Sequence, residues 1–265
     1  MSSPTDEGPP PGTSSQERPA GPDRRVLALV LASVGGYVDA VGYIVLVRLF
    51  TAHQSGNSVA LGVGIGQGEW LMAFDRVTPI AAYVVAVAIA AGLIELGRCA
   101  GIRATATPVL AGEIALLCVA FAIGRSALVA GLIPATDVAP YAGTAAALAG
   151  AMGMQAAVLR RVEGIPVRTT FVTGILTNLA ETAVTSLLRR DPSGAKRWRR
   201  ARFSVPGLLA ALWIWYLAGG VLGALADGAW SLEALGVPVA VIVVVAIVDL
   251  RAPLHPTLPS PASGT

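Results

Sequence analysis

Charge is scarce in this chain. Only 13% of its 265 residues are Asp, Glu, Lys or Arg, roughly half the share of an average soluble domain. Cysteine and histidine are rarer still, at two each. Cys99, Cys118, His53 and His255 supply neither a disulfide framework nor a zinc site at recognisable spacing. There is no GxxxxGK[ST] phosphate loop, no HExxH and no GxSxG. An ATP-driven engine and the commonest hydrolase sites therefore lack their residues. Gly62, Gly64, Gly66 and Gly68 have no strand–turn–helix context and are not a dinucleotide fingerprint; close packing or kinking accounts for them. No metal and no cofactor is expected, and the chain does not read as an enzyme.

What is abundant is apolar. Hydrophobic residues make up 54% of the chain and the mean hydropathy is +0.68. They fall in blocks of the length that crosses a bilayer, about 20 residues. This is the composition of an integral membrane protein. The net charge of +3 sits in loops between those blocks, where membrane orientation explains it better than nucleic-acid binding. Residues 1–23 and 252–265 are rich in proline, serine, glycine and threonine and are expected to be disordered tails. The stretch 24–251 between them reads as one membrane domain.

Apolar blocks lie at 26–49, 55–68, 77–97, 107–124, 138–159, 169–188, 205–226 and 231–250. The block at 55–68 is too short for a normal crossing. If it and 169–188 both dip in and return, six full spans remain. Only Arg48, Arg76 and Arg125 then lie outside, with the other sixteen Lys and Arg inside. Crossing by all eight blocks separates the charges less well, so the positive-inside rule favours six spans. The block at 169–188 is, however, long enough to cross fully. Both layouts put the two termini in the cytoplasm. The basic loop 189–202 then faces anionic lipid headgroups.

A spacing recurs. Gly36-Tyr37-Val38-Asp39-Ala40 precedes Ser55-Gly56-Asn57, and Gly153-Met154-Gln155-Ala156-Ala157 precedes Thr173-Gly174, with Thr177-Asn178 just beyond. In each case a polar-marked helix leads to a glycine-centred polar break, and two apolar helices follow. The expected fold is all-α and polytopic, with about six full spans plus two broken or re-entrant segments. Its halves, 26–124 and 138–250, are read as a 3+3 inverted repeat, an architecture common in secondary transporters.

Polar groups inside the apolar blocks mark the candidate site. Asp39 lies deep in the first block, where an acid costs about 3 kcal/mol and should face protein or water. It fits a proton site, a cation ligand or a hydrogen bond to a neighbouring helix. Gly56 and Asn57 at the first break, with Gln155, Thr173, Gly174 and Asn178 at the second, complete the candidate substrate or ion site. Their side chains suit binding a solute, or satisfying the freed backbone groups of a broken helix. His53, Glu113 and Glu181 are secondary candidates. Histidine is the side chain that changes charge near neutral pH, and the two glutamates lie within apolar blocks. Glu95 is placed for an ordinary ion pair with Arg98. Small-residue stripes at Ala32/Gly36/Ala40, Gly143/Ala147/Ala151 and Gly219/Gly223 read as tight helix contacts.

Gly36-Tyr37-Val38-Asp39-Ala40-Val41-Gly42-Tyr43 and Thr51-Ala52-His53-Gln54-Ser55-Gly56-Asn57 resemble the YoaK family of bacterial multi-pass membrane proteins, which carry a domain of unknown function. Gly153-Met154-Gln155 and Arg168-Thr169-Thr170-Phe171-Val172-Thr173-Gly174, followed by Thr177-Asn178-Leu179, extend the resemblance across roughly 26–250. Ser55 stands where the family usually shows Thr, and Ala156 where Asn commonly follows the Gln. The resemblance implies a bacterial plasma-membrane location and brings no established activity. The residues point first to a secondary transporter or permease for a small solute, proton- or cation-coupled. The alternative is a non-transporting scaffold or accessory subunit.

Overall fold

The computed structural model describes residues 23–130, 138–158, 161–162, 165–166, 172–188 and 196–254. Its helices are α1 (Arg24–Val45), α2 (Gln54–Gln67), α3 (Trp70–Cys99), α4 (Thr107–Val129), α5 (Val138–Val158), α6 (Val172–Leu188), α7 (Lys196–Trp230) and α8 (Gly236–Arg251). A 3-10 segment, Ser231–Leu235, joins the last two. Between α5 and α6 two strands of two residues, β1 (Arg161–Val162) and β2 (Ile165–Pro166), pair antiparallel. Among the described residues the fold is otherwise all helical, as the apolar blocks imply. Arg160, Arg168 and the first part of the basic loop, 189–195, lie outside the described residues, as do 1–22 and 255–265.

Among the described residues, four helical runs are long and apolar enough to cross a membrane: 24–45, 70–99, 107–129 and 205–251. The last is too long for one crossing of about 20 residues. It is interrupted where Ser231 takes the left-handed backbone, at φ 50. Large apolar side chains such as Val59, Leu71, Val84, Leu96, Leu217, Leu225 and Leu250 are exposed around the outside, the surface a lipid-facing bundle presents. α2, at 14 residues, is about 21 Å long and does not cross on its own.

Local chemistry sets the ends. Asp23 caps α1 by accepting from Arg25 N at 2.9 Å. α2 stops at Gly68, φ 76, where Glu69 N bonds Gly64 O at 2.8 Å and Gly68 N bonds Ile65 O at 3.2 Å, the paired closure of a left-handed C-terminus. α3 begins at Trp70, seven residues before the apolar block read from sequence, and so includes Asp75 and Arg76. α4 is capped from another helix: Asp249 Oδ2 accepts from Thr107 N at 2.8 Å and Thr107 Oγ1 at 2.7 Å, while Asp249 Oδ1 accepts from Leu254 N at 2.8 Å. Leu254 is buried, and its carbonyl accepts from Arg24. The ordered domain thus runs past residue 251, and 252–254 belong to it rather than to a tail. Those bonds gather the starts of α1 and α4 and the end of α8 at one end of the bundle.

At the other end, Tyr141 OH donates to Leu46 O at 2.7 Å, Arg76 donates to Arg48 O at 3.3 Å, and Arg125 pairs with Glu233. The Glu95–Arg98 pair forms at 3.5 Å. The core is held by small residues. α1 and α7 run in parallel, with Gly219 against Ser33, Gly220 against Gly36 and Gly223 against Tyr37. Gly36 lies against the carbonyl of Tyr216 with no room for a side chain, and Gly153 of α5 lies against the carbonyl of Tyr83 in α3. Close backbone approach of this kind replaces the hydrophobic effect as the source of helix association in lipid. Gly62 and Gly66, by contrast, have nothing near them.

Candidate functional site at the corner of α1 and α2

α1 ends in a strained turn. Val47 (φ 46) and Arg48 (φ 65) are both left-handed, a conformation that is out of the ordinary for a β-branched residue. Such strain costs about 1–3 kcal/mol per residue and persists only where surrounding contacts over-determine it. Those contacts are present. Asn57, 1% exposed, donates to Phe50 O at 2.7 Å and to Gln54 Oε1 at 2.9 Å, and accepts from Phe50 N at 3.3 Å. Gln54 donates to Thr51 O at 2.9 Å. Gly56 leaves space for the Phe50 ring, 3.0 Å from where a Cβ would stand, and Gly42 leaves space for the Thr51 methyl. The segment 46–53 therefore folds back onto α1.

That fold-back wraps a carboxylate. Asp39 is 4% exposed. Its Oδ1 accepts from Thr51 N at 2.7 Å, Thr51 Oγ1 at 2.8 Å and Ala52 N at 2.8 Å. Its Oδ2 accepts from Tyr216 OH, reaching across from α7, at 2.6 Å and lies 2.5 Å from His53 Nδ1. Tyr216 OH and His53 Nδ1 are 3.3 Å apart. The His53 ring stands edge-on to both Phe50 and Tyr216, at centroid distances of 5.8 and 5.5 Å.

Backbone N–H groups can only donate, so Oδ1 is an acceptor and nothing else. Any exchangeable proton at this site sits among Asp39 Oδ2, Tyr216 O and His53 Nδ1. The side chain of His53 is 23% exposed against 5% for Asp39, and Tyr216 is half-buried, so the histidine and the tyrosine both lie between the acid and the outside. Oxygen- and nitrogen-bearing groups thus form a short chain from a buried acid to the surface of the bundle.

The sequence candidates separate into three places. Asp39, His53, Gly56 and Asn57 share the corner. Gln155 is fully buried elsewhere, donating to Leu31 O of α1 at 2.8 Å, and Glu113 is fully buried in α4. Thr173, Gly174, Asn178 and Glu181 lie on α6, which packs along α7; Thr173, Asn178 and Glu181 are on its exposed face. Thr177 donates to Thr173 O at 3.0 Å and Thr182 to Asn178 O at 2.5 Å, and Thr185 bonds the backbone carbonyl of Glu181 rather than its carboxyl. Tyr216 is the site residue that the sequence did not single out. It lies in an apolar run beside Trp213 and Trp215, where an aromatic reads as an interfacial anchor.

The comparisons with known proteins agree with this membrane architecture. A stretch of 67 residues is 36% identical to the UPF0700 transmembrane protein YoaK of Bacillus subtilis (strain 168), covering 25% of this chain and 30% of that protein. The matched region thus spans under a third of that relative's length. No solved structure matches. Residues 27–248 match the family model described as "Protein of unknown function (DUF1275)", and this multi-pass membrane protein belongs to that family.

Proposed function

We propose that the protein is a proton-coupled secondary transporter for a small solute, with Asp39, Tyr216 and His53 as its proton site. The observation that carries this reading is the Asp39 carboxylate, buried within a candidate span yet linked through His53 to the outside. An acid inside a span is expensive to place, and proton relays are one of the few uses that account for it. The exposed face of α6 supplies the solute side of the reading. Thr173, Thr177, Glu181 and Thr185 recur every four residues along it, and a polar stripe at that depth faces water or protein rather than lipid.

The layout proposed with it has six crossings and two short polar-marked segments, α2 and α6. Both halves run through four helices in the same order. α1 and α5 each bring a glycine against the carbonyl of a tyrosine in a long helix of the opposite half, Gly36 against Tyr216 and Gly153 against Tyr83. These matched contacts support an inverted repeat. The end of the bundle carrying Arg24, Arg98, Arg103, Arg251 and the basic start of α7 is assigned to the cytoplasm of a bacterial plasma membrane, with anionic lipid at 189–202.

A scaffold without transport is the second reading. It is favoured by the saturation of Asp39, whose two oxygens are engaged by five groups of the protein itself. Proteoliposomes with a pH-sensitive dye inside, challenged with a panel of small solutes, separate the two. The transporter reading expects a solute that moves protons on addition; no proton movement with any solute, beside a folded protein, supports the scaffold.

A further inference from the structure

Glu113 and Gln155 present a pairing problem that the Asp39 site does not touch. Both are fully buried. Neither oxygen of the Glu113 carboxyl has a hydrogen-bond partner, and neither has Oε1 of Gln155. An acceptor left unsatisfied in a dry interior is destabilising, more so when it is charged, and an unpaired buried charge is the costliest case.

The helix register brings the two together. α4 and α5 pack antiparallel: Ile123 lies against Gly143, Leu116 against Gly150 and Met154 against Gly112. Gly124 faces Thr144, whose methyl is 3.3 Å from where a Cβ would stand. Glu113 lies eleven residues before Gly124, and Gln155 eleven residues after Thr144. Eleven residues make about three turns, so each returns to the same face of its helix. Leu117, Ala120, Leu148 and Ala151, which lie between the two levels along the chain, are all fully buried. The register therefore places Glu113 and Gln155 at the same level of the α4–α5 pair.

Other charges are committed elsewhere. α5 has none. On the elements packed against α4, Asp249 caps Thr107 beside Arg251 at the end of α8, Glu233 of the 3-10 segment pairs with Arg125, and on α3 Glu95 pairs with Arg98. Asp75 and Arg76 lie at the start of α3. On α1, Asp39 is in its own site, and Arg24 and Arg25 are at the start of the helix.

From this pairing we infer that Glu113 is a second proton-binding site: its carboxyl holds a proton and donates it to Gln155 Oε1. The same proton partners one Glu113 oxygen and Gln155 Oε1 and leaves the second Glu113 oxygen as the uncharged carbonyl of a neutral acid. Gln155 already donates to Leu31 O, so one hydrogen-bonded chain would run from α4 through α5 to α1, the helix that carries Asp39. The ligand is a proton, and the site stands apart from the transport reading.

Infrared difference spectroscopy of the full-length protein in lipid at neutral pH tests this. The wild type should show the carbonyl stretch of a protonated carboxylic acid that is lost in Glu113→Gln. The Glu113→Gln protein should stay folded, because the new amide can donate to the same oxygen. Gln155→Leu should shift that band to higher frequency, as expected for an acid whose O–H has lost its hydrogen-bond acceptor. A wild-type minus Glu113→Gln spectrum showing only a carboxylate overturns the inference, as does a sodium-dependent rise in melting temperature that Glu113→Gln abolishes. A band indifferent to Gln155→Leu overturns the pairing.

Discussion

The hydroxyl of Tyr216 lies 2.6 Å from Oδ2 of Asp39, joining α7 to α1 across 177 residues of chain. The bond is possible because Gly36 lets the two helix backbones touch at the carbonyl of that same tyrosine. Close packing and the polar site therefore depend on the same pair of helices. Anything that parts α1 from α7 also opens the carboxylate.

Tyr216→Phe keeps the ring and removes the bond. Hydrogen bonds to charged groups contribute about 1.5–3 kcal/mol, so a loss of stability in that range is expected. Thermal unfolding in detergent measures it, with Tyr43→Phe as the control. Tyr43 is exposed and packs against Phe50 with its ring tilted, at a centroid distance of 5.0 Å. Equal stability of the two variants would mean that the Tyr216 contact contributes nothing.

Asp249→Ala should destabilise the bundle by about 3 kcal/mol, since it orphans two backbone donors, the part-buried Thr107 N and the buried Leu254 N. Asp249→Asn keeps one acceptor and should lose less. The ranking wild type, Asn, Ala in thermal unfolding is the expected result. An Ala variant as stable as wild type would show that water replaces the carboxylate at no cost.

The α1–α2 corner was legible because its polar residues are close in sequence. Asp39, His53 and Asn57 stand out against an apolar background, and a helix of 22 residues brings its own end back to its middle only through a break such as 46–53. Tyr216 was not legible, because its role depends on a glycine contact between two distant helices. Asp249 carries no motif that singles it out in the sequence, and it is a buried cap for a distant helix. Gln155 carries an amide that marks a polar spot, but no pattern in its own helix says that its partner is a carbonyl of α1. The glycine-centred motif at Thr173 and Asn178 predicts a break, but both residues lie within the continuous helix α6, and the motif does not say which face of α6 turns outward. The start of α3 was read late because Asp75 and Arg76 lower the local hydropathy, although charges in the first turns of a span can reach the interface.

The most direct test is proton movement by Asp39→Asn beside wild type in the same vesicles. The asparagine carbonyl can still accept from Thr51 and Ala52. Its amide can donate where Oδ2 stood, with the Tyr216 oxygen and an unprotonated His53 Nδ1 as acceptors. Folding should therefore survive, and thermal unfolding should lie within about 2 kcal/mol of wild type, the scale of one altered hydrogen bond. What the variant loses is a group that can take up and release a proton. Solute-driven proton movement should be abolished in a protein that is folded and present at wild-type level in the membrane. Wild-type proton movement with asparagine at position 39 would contradict the account and leave Asp39 as a structural clasp of the α1–α2 corner.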